Sequence, residues 1–200
     1  LWGLLAKAAA AIPLGALAWR VNVVSALCGA VAVALLFWLV AGLGHHRTPE
    51  ERLAHYPPAR VQLFSGLAAA GYLAVCVSFW ISATRAYSHP FDVVLLLATV
   101  VLIRRYRERK GLPAVWAAAL LCGVGATESA TVVLMLPVFV AVIFYLMWQH
   151  GVLRPGPVLT WLGLFLLGLS LYLLAAWQFC RQPAFAWSEL EGWGPVLWQM

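Results

Sequence analysis

A chain of 200 residues that is 64% hydrophobic and only 10% charged cannot cover itself with a water-compatible surface; a soluble domain carries roughly 25% charged and 45–50% apolar residues. The net charge of +6 does not describe a nucleic-acid binder, because the basic residues are confined to short stretches between apolar runs. The class is all-α, a polytopic membrane helix bundle, since the short alternating segments of a transmembrane barrel are missing.

Residues 1–18 predict an outer interfacial helix, with the tail of a truncated spanning helix as the alternative. Leu1, Leu4, Leu5 and Ile12 share one helical face, and Pro13 and Gly15 end the pattern. Residues 21–43 form the first span, with Arg20 and Asn22 at its entrance and Ser25, Ala26, Gly29, Ala30 and Ala34 allowing close helix packing. Residues 44–60 are a polar loop. Its His45, His46, His55, Glu50 and Glu51 match no metal-ligand spacing, so it reads as solvated.

Residues 61–83 form the second span. A short link carries Arg85 and His89. Residues 86–103 predict a short helix with Pro90 in its first turn, where proline is tolerated. A basic run follows, with Arg104, Arg105, Arg107, Arg109 and Lys110. Residues 112–127 predict a second short helix, with Glu128 at the turn after it. Residues 130–148 span again, kinked at Pro137, and residues 158–179 form the last span. Residues 180–200 hold Trp187, Trp193 and Trp198 with Glu189 and Glu191, as an outer interfacial segment does. Cys28, Cys76, Cys122 and Cys180 stand far apart with no Cys-x-x-Cys, which suits inert thiols. The opening at Leu1, inside an apolar stretch, reads as a fragment: a single transmembrane domain, residues 1–200, of a longer protein.

The basic residues orient the chain. With residues 104–111 in the cytoplasm, alternation gives six crossings, two of them short. Arg47, Arg52, Arg60, Arg104, Arg105, Arg107, Arg109, Lys110 and Arg154 then lie inside, and Lys7, Arg20, Arg85 and Arg181 outside: nine against four of the thirteen. Arg85, His89, Asp92 and Glu128 come to the outer edge. Ionisable groups at a membrane edge are candidate functional residues. The residues alone name no catalytic constellation, no cofactor and no metal motif.

Three stretches carry a family resemblance. The first is residues 13–30, whose most specific part is Trp19-Arg20-Val21-Asn22-Val23-Val24-Ser25-Ala26. The second is Phe79-Trp80 leading to Arg85-Ala86-Tyr87-Ser88-His89-Pro90-Phe91-Asp92. The third is Gly123-Val124-Gly125-Ala126-Thr127-Glu128-Ser129-Ala130-Thr131 running on to Leu136-Pro137, with Leu169-Ser170-Leu171-Tyr172-Leu173-Leu174 further on. The chain resembles a large family of bacterial multi-pass membrane proteins of unknown function. That family is related to the animal O-mannosyltransferase of plexin-type and receptor ectodomains and is similar to the GT-C superfamily of glycosyltransferases.

The resemblance implies a GT-C-like fold and a glycosyltransferase-like module, protein O-mannosyltransferase-like. It would transfer a sugar from a polyprenyl-phosphate donor on the non-cytoplasmic face of a bacterial inner membrane. The partners implied are the lipid bilayer and that donor, with no nucleic acid. The family's catalytic acid would lie upstream of Leu1, so this fragment would be incomplete. The resemblance leaves room for a divalent metal in the full-length protein, but no ligand in this chain is assigned to one. Candidate donor- or acceptor-binding residues are Arg20, Asn22, Arg85, His89, Asp92 and Glu128.

Two departures fall among these candidates. Relatives tend to carry a Glu-x-Tyr block where this chain has Tyr87-Ser88-His89, and Asn-His where it has Glu128-Ser129. Either Glu128 supplies a displaced acid, or the activity is altered. A transporter or flippase and a non-catalytic membrane scaffold are the alternatives. The span centres, nearly free of ionisable groups, speak against transport.

Overall fold

The computed structural model describes residues 2–12, 16–43, 58–85 and 87–180, and among them every regular element is an α-helix. Of the polar loop expected over residues 44–60, residues 44–57 lie outside the described residues and 58–60 are helical instead. Of the outer segment expected over 180–200, Cys180 ends a helix and the rest lies outside the described residues. The chain divides into two compact units, Leu1–Arg104 and Arg105–Met200.

The first unit begins with α1 (Trp2–Ala11) and α2 (Leu17–Ala41). α2 has 25 residues, roughly 37 Å at 1.5 Å per residue. Beyond Arg20 it has no charged residue. Ser25, Gly29 and Ala32 fall on one face and are buried, while Leu27, Val31 and Trp38 point outward and are exposed. Outward leucine, valine and tryptophan on a helix with no charge beyond its first turn are what lipid accepts and water does not.

α3 (Pro58–Val75) and α4 (Val77–Thr84) were expected as one continuous span over residues 61–83. Instead Cys76 is extended, with φ −63° and ψ 116°, and the pair bends by 64°. Neither Pro nor Gly marks the break. The flanking Val75 and Val77 are β-branched and only mildly oppose a helix. The pull comes from α2: Gly29 lacks a Cβ, and one placed there would stand 2.9 Å from the Cβ of Ala83 in α4. Gly66 gives α3 the same freedom, since its Cβ would stand 3.0 Å from the Cβ of Ala41.

α5 (His89–Arg109) runs out of the first unit. Asp92 in its first turn and Arg107 and Arg109 in its last both match the helix dipole. The basic run is thus mostly helix rather than loop, because each Arg is a good helix former and the C-terminal end favours cations. Pro90 is fully buried at the second helical position.

The second unit holds the end of α5, α6 (Leu112–Glu128), α7 (Ala130–Gln149) and α8 (Pro155–Cys180). α6 and α8 touch backbone to backbone. A Cβ on Gly168 would stand 2.6 Å from the Leu120 carbonyl oxygen and 3.0 Å from the Cα of Gly123; small residues permit such contact in lipid. α7 ends in a Schellman motif. Val152 N–H donates to the Met147 carbonyl at 2.9 Å, Gly151 N–H to that of Trp148 at 2.9 Å, and Gly151 takes φ 67°, which glycine adopts without a steric penalty.

Among the described residues, three helices are long and apolar enough to cross a membrane: 18–41 within α2, α7, and 155–174 within α8. The bent α3–α4 pair makes a fourth if it counts as one span. The chain is therefore a polytopic helical membrane module. α5 and α6, read as the two short crossings, are not among these helices. Residues 104–109 make the last turns of α5 polar, and α6 has 17 residues, roughly 26 Å.

Candidate functional site

Five of the six predicted residues lie in the first unit, at the end where α1, the start of α2, the end of α4 and the start of α5 meet. Ser25 ties this end together. It is fully buried, and its hydroxyl lies 3.1 Å from the carbonyl oxygen of Ser82 and 3.2 Å from that of Tyr87. One proton is shared between these two acceptors, so α2 holds the end of α4 and the turn before α5 together. Trp2 of α1 meets Phe91 of α5, ring centres 6.3 Å apart.

Arg20 stands at the first turn of α2 and donates to the carbonyl of Ile12, an acceptor just past the last turn of α1. It fixes the α1–α2 corner. Asn22 is half-buried, three residues before Ser25 on the same helix. Arg85 follows the last turn of α4 and is exposed. Tyr87 N–H donates to the Arg85 carbonyl at 2.7 Å, a tight turn that leads into α5.

His89 and Asp92 are brought together, with Nδ1 of His89 3.8 Å from Oδ2 of Asp92. His89 is 73% exposed and Asp92 14%. The pair therefore adds less than about 1 kcal/mol to stability. Its interest is chemical: a carboxylate at a helix N-terminus beside an imidazole can take up and pass on a proton. The exposed guanidinium of Arg85 can pair with a phosphate.

Glu128 belongs to the second unit and closes α6. A carboxylate there opposes the dipole of α6 but directly precedes Ser129, which opens α7. Ser129 N–H donates to the Gly125 carbonyl at 3.0 Å. Among the described residues no three His, Cys, Asp or Glu side chains come together as a metal set. His89 and Asp92 are two such groups, both in the first turn of α5.

Ser25 was read from sequence as a packing residue only. The signal was present, since Ser25 and Gly29 sit four apart as a small-x-x-x-small pair, but the pattern does not say which carbonyls the hydroxyl meets.

Residues 1–151 match the family described as the protein O-mannosyl-transferase TMEM260 N-terminal domain. The chain belongs to that family. The match spans α1 through α7, takes in all six candidate residues, and ends at Gly151 of the α7–α8 link. No curated protein and no solved structure matches the chain. For the TMEM260 N-terminal domain family, then, this member presents an end of the first unit where Arg20, Asn22, Arg85, His89 and Asp92 stand on elements joined through Ser25.

Proposed function

We propose that the chain is a membrane-embedded module of a GT-C-type glycosyltransferase, which moves a sugar from a polyprenyl-phosphate donor to a protein hydroxyl on the non-cytoplasmic face. The observation that carries this is the family match over residues 1–151, laid over a cationic and acidic helix end built from Arg85, His89 and Asp92. In this reading Arg85 holds the donor phosphate through charge-assisted hydrogen bonds. Arg20 orders α1 against α2 and contributes positive potential. His89 and Asp92 line the sugar or acceptor site and relay the acceptor proton. Asn22 adds a hydrogen-bonding amide. Glu128 supplies a further acid at the α6–α7 junction, where relatives tend to carry Asn-His.

The proposed topology has six crossings. α5 and α6 serve as the two short ones, and residues 104–111 face the cytoplasm of a bacterial inner membrane. The concentration of Arg and Lys in residues 104–110 supports it.

The test is sugar transfer by the full-length protein carrying Arg85→Ala or Glu128→Ala. The reading expects at least a tenfold loss for Arg85→Ala, about 1.4 kcal/mol of transition-state stabilisation. Unchanged transfer in both variants removes Arg85 and Glu128 from the chemistry. A second reading, transport, draws on the 64° break between α3 and α4, since transporters use discontinuous helices. Here the break lies at Cys76 between Val75 and Val77, with no Asp, Glu, Lys, Arg or His among the three. Polyprenyl-phosphate accumulation in vesicles without sugar transfer would favour it.

A further inference from the structure

In the second unit one residue of α5 meets the end of α7. Tyr106 is fully buried and meets His150 edge-on, ring centres 5.0 Å apart. His150 follows the last turn of α7. One turn back on α7, Tyr145 and Trp148 lie side by side, ring centres 6.2 Å apart, and both are largely exposed. α7 is apolar enough to cross a membrane, and exposed Trp and Tyr near the end of a span mark the headgroup layer. The Tyr106–His150 contact therefore sets the tail of α5 at that depth.

Arg105, Arg107 and Arg109 are exposed on this tail, and Lys110 is exposed just after it. Arg105 and Arg109 stand one turn apart on one face, while Arg107 lies on another side. Glu108 is the single acidic residue among them, four cations against one carboxylate. Lys110 takes φ 53°, the position after a helix where glycine is the usual residue. Its neighbour Gly111 is extended instead, with φ −84° and ψ 115°. The chain keeps a cation where glycine would cost less backbone strain.

We propose that Arg105, Arg107, Arg109 and Lys110 form a headgroup-level site for anionic phospholipids. A phosphodiester with a net negative charge meets guanidinium groups at its own depth, where the adjoining hydrocarbon weakens screening by water. A zwitterionic lipid gains little from the same contact, because its own cation opposes the site. The site uses none of the six candidate residues and rests on membrane embedding alone, so it can fail without the transfer reading failing.

The test reconstitutes the full-length protein in phosphatidylcholine bilayers and measures, by spin-label EPR, the association of labelled phosphatidylglycerol relative to labelled phosphatidylcholine. A preference for phosphatidylglycerol is expected, up to about fivefold for each cation engaged. It should collapse at about 1 M salt, where the Debye length is roughly 3 Å. Arg105→Gln with Arg109→Gln should cut it severalfold. Lys110→Gly is the sharper variant: thermal stability should rise while the preference falls. Equal association of the two lipids with the wild-type protein overturns the proposal. So does a preference untouched by salt, by the double substitution and by Lys110→Gly.

Discussion

The guanidinium of Arg104 donates a 2.9 Å hydrogen bond to the carbonyl oxygen of Leu39 and lies 5.2 Å from the centre of the Trp38 ring. Leu39 is near the end of α2, where carbonyls have no partner further along the helix. A residue of the basic run thus caps another helix. Gly42 is part of the arrangement through space rather than conformation: its φ is −88°, but a Cβ there would run into the guanidinium.

Arg104→Ala should therefore destabilise the full-length protein by about 2 kcal/mol, from a charged hydrogen bond worth about 1.5–3 kcal/mol and a cation–π contact worth about 0.5–1 kcal/mol. Gly42→Ala should act in the same direction by displacing Arg104. Thermal unfolding in detergent should show the two changes combining to less than their sum, because both remove one contact. Full additivity would mean that Gly42→Ala acts by a route other than displacing Arg104.

Ser25→Ala should loosen the turn between α4 and α5. The expected loss is about 1 kcal/mol, and trypsin should cut after Arg85 faster than in the wild type. Equal cleavage rates would show that the shared hydroxyl does not hold this turn.

His89→Ala should change stability by less than about 0.5 kcal/mol, since the side chain is 73% exposed. A loss of sugar transfer in that variant is then chemical rather than structural. A matching fall in thermal midpoint would contradict the assignment.

Gly168→Val should disrupt the α6–α8 contact, because its Cβ has backbone within 3.0 Å on the facing helix. Overpacking of this kind costs typically 1–3 kcal/mol, and loss of the monodisperse species on size exclusion reads it directly. Gly163→Ala, with open space around it, is the control and should elute as the wild type does.

Topology is tested by cysteine labelling. After replacement of Cys28, Cys76, Cys122 and Cys180, a cysteine at Arg107 should react only from the cytoplasmic side and one at Arg85 only from outside. The reverse pattern would turn the six-crossing proposal over and place the Arg85, His89 and Asp92 end on the wrong face for a polyprenyl-linked donor.

The sequence by itself determined that this is a helical membrane chain, because a 64% apolar and 10% charged inventory leaves lipid as the only solvent that costs no free energy for most side chains. It also placed the candidate residues near helix ends, since Pro13 and Gly15 come before Arg20, and Pro90 stands beside His89 and Asp92. Three features came only from the tertiary structure. Arg104 belongs to the end of α2, the span expected over residues 61–83 breaks at Cys76, and Ser25 holds Ser82 and Tyr87. The reason is common to all three. Hydropathy and period report what each residue can bear, but a guanidinium, a glycine face or a hydroxyl gains its role from the distant backbone that comes within about 3 Å of it. In a chain with so few polar groups, many apolar patterns are compatible with the same lipid exposure. The choice among them falls to those close approaches.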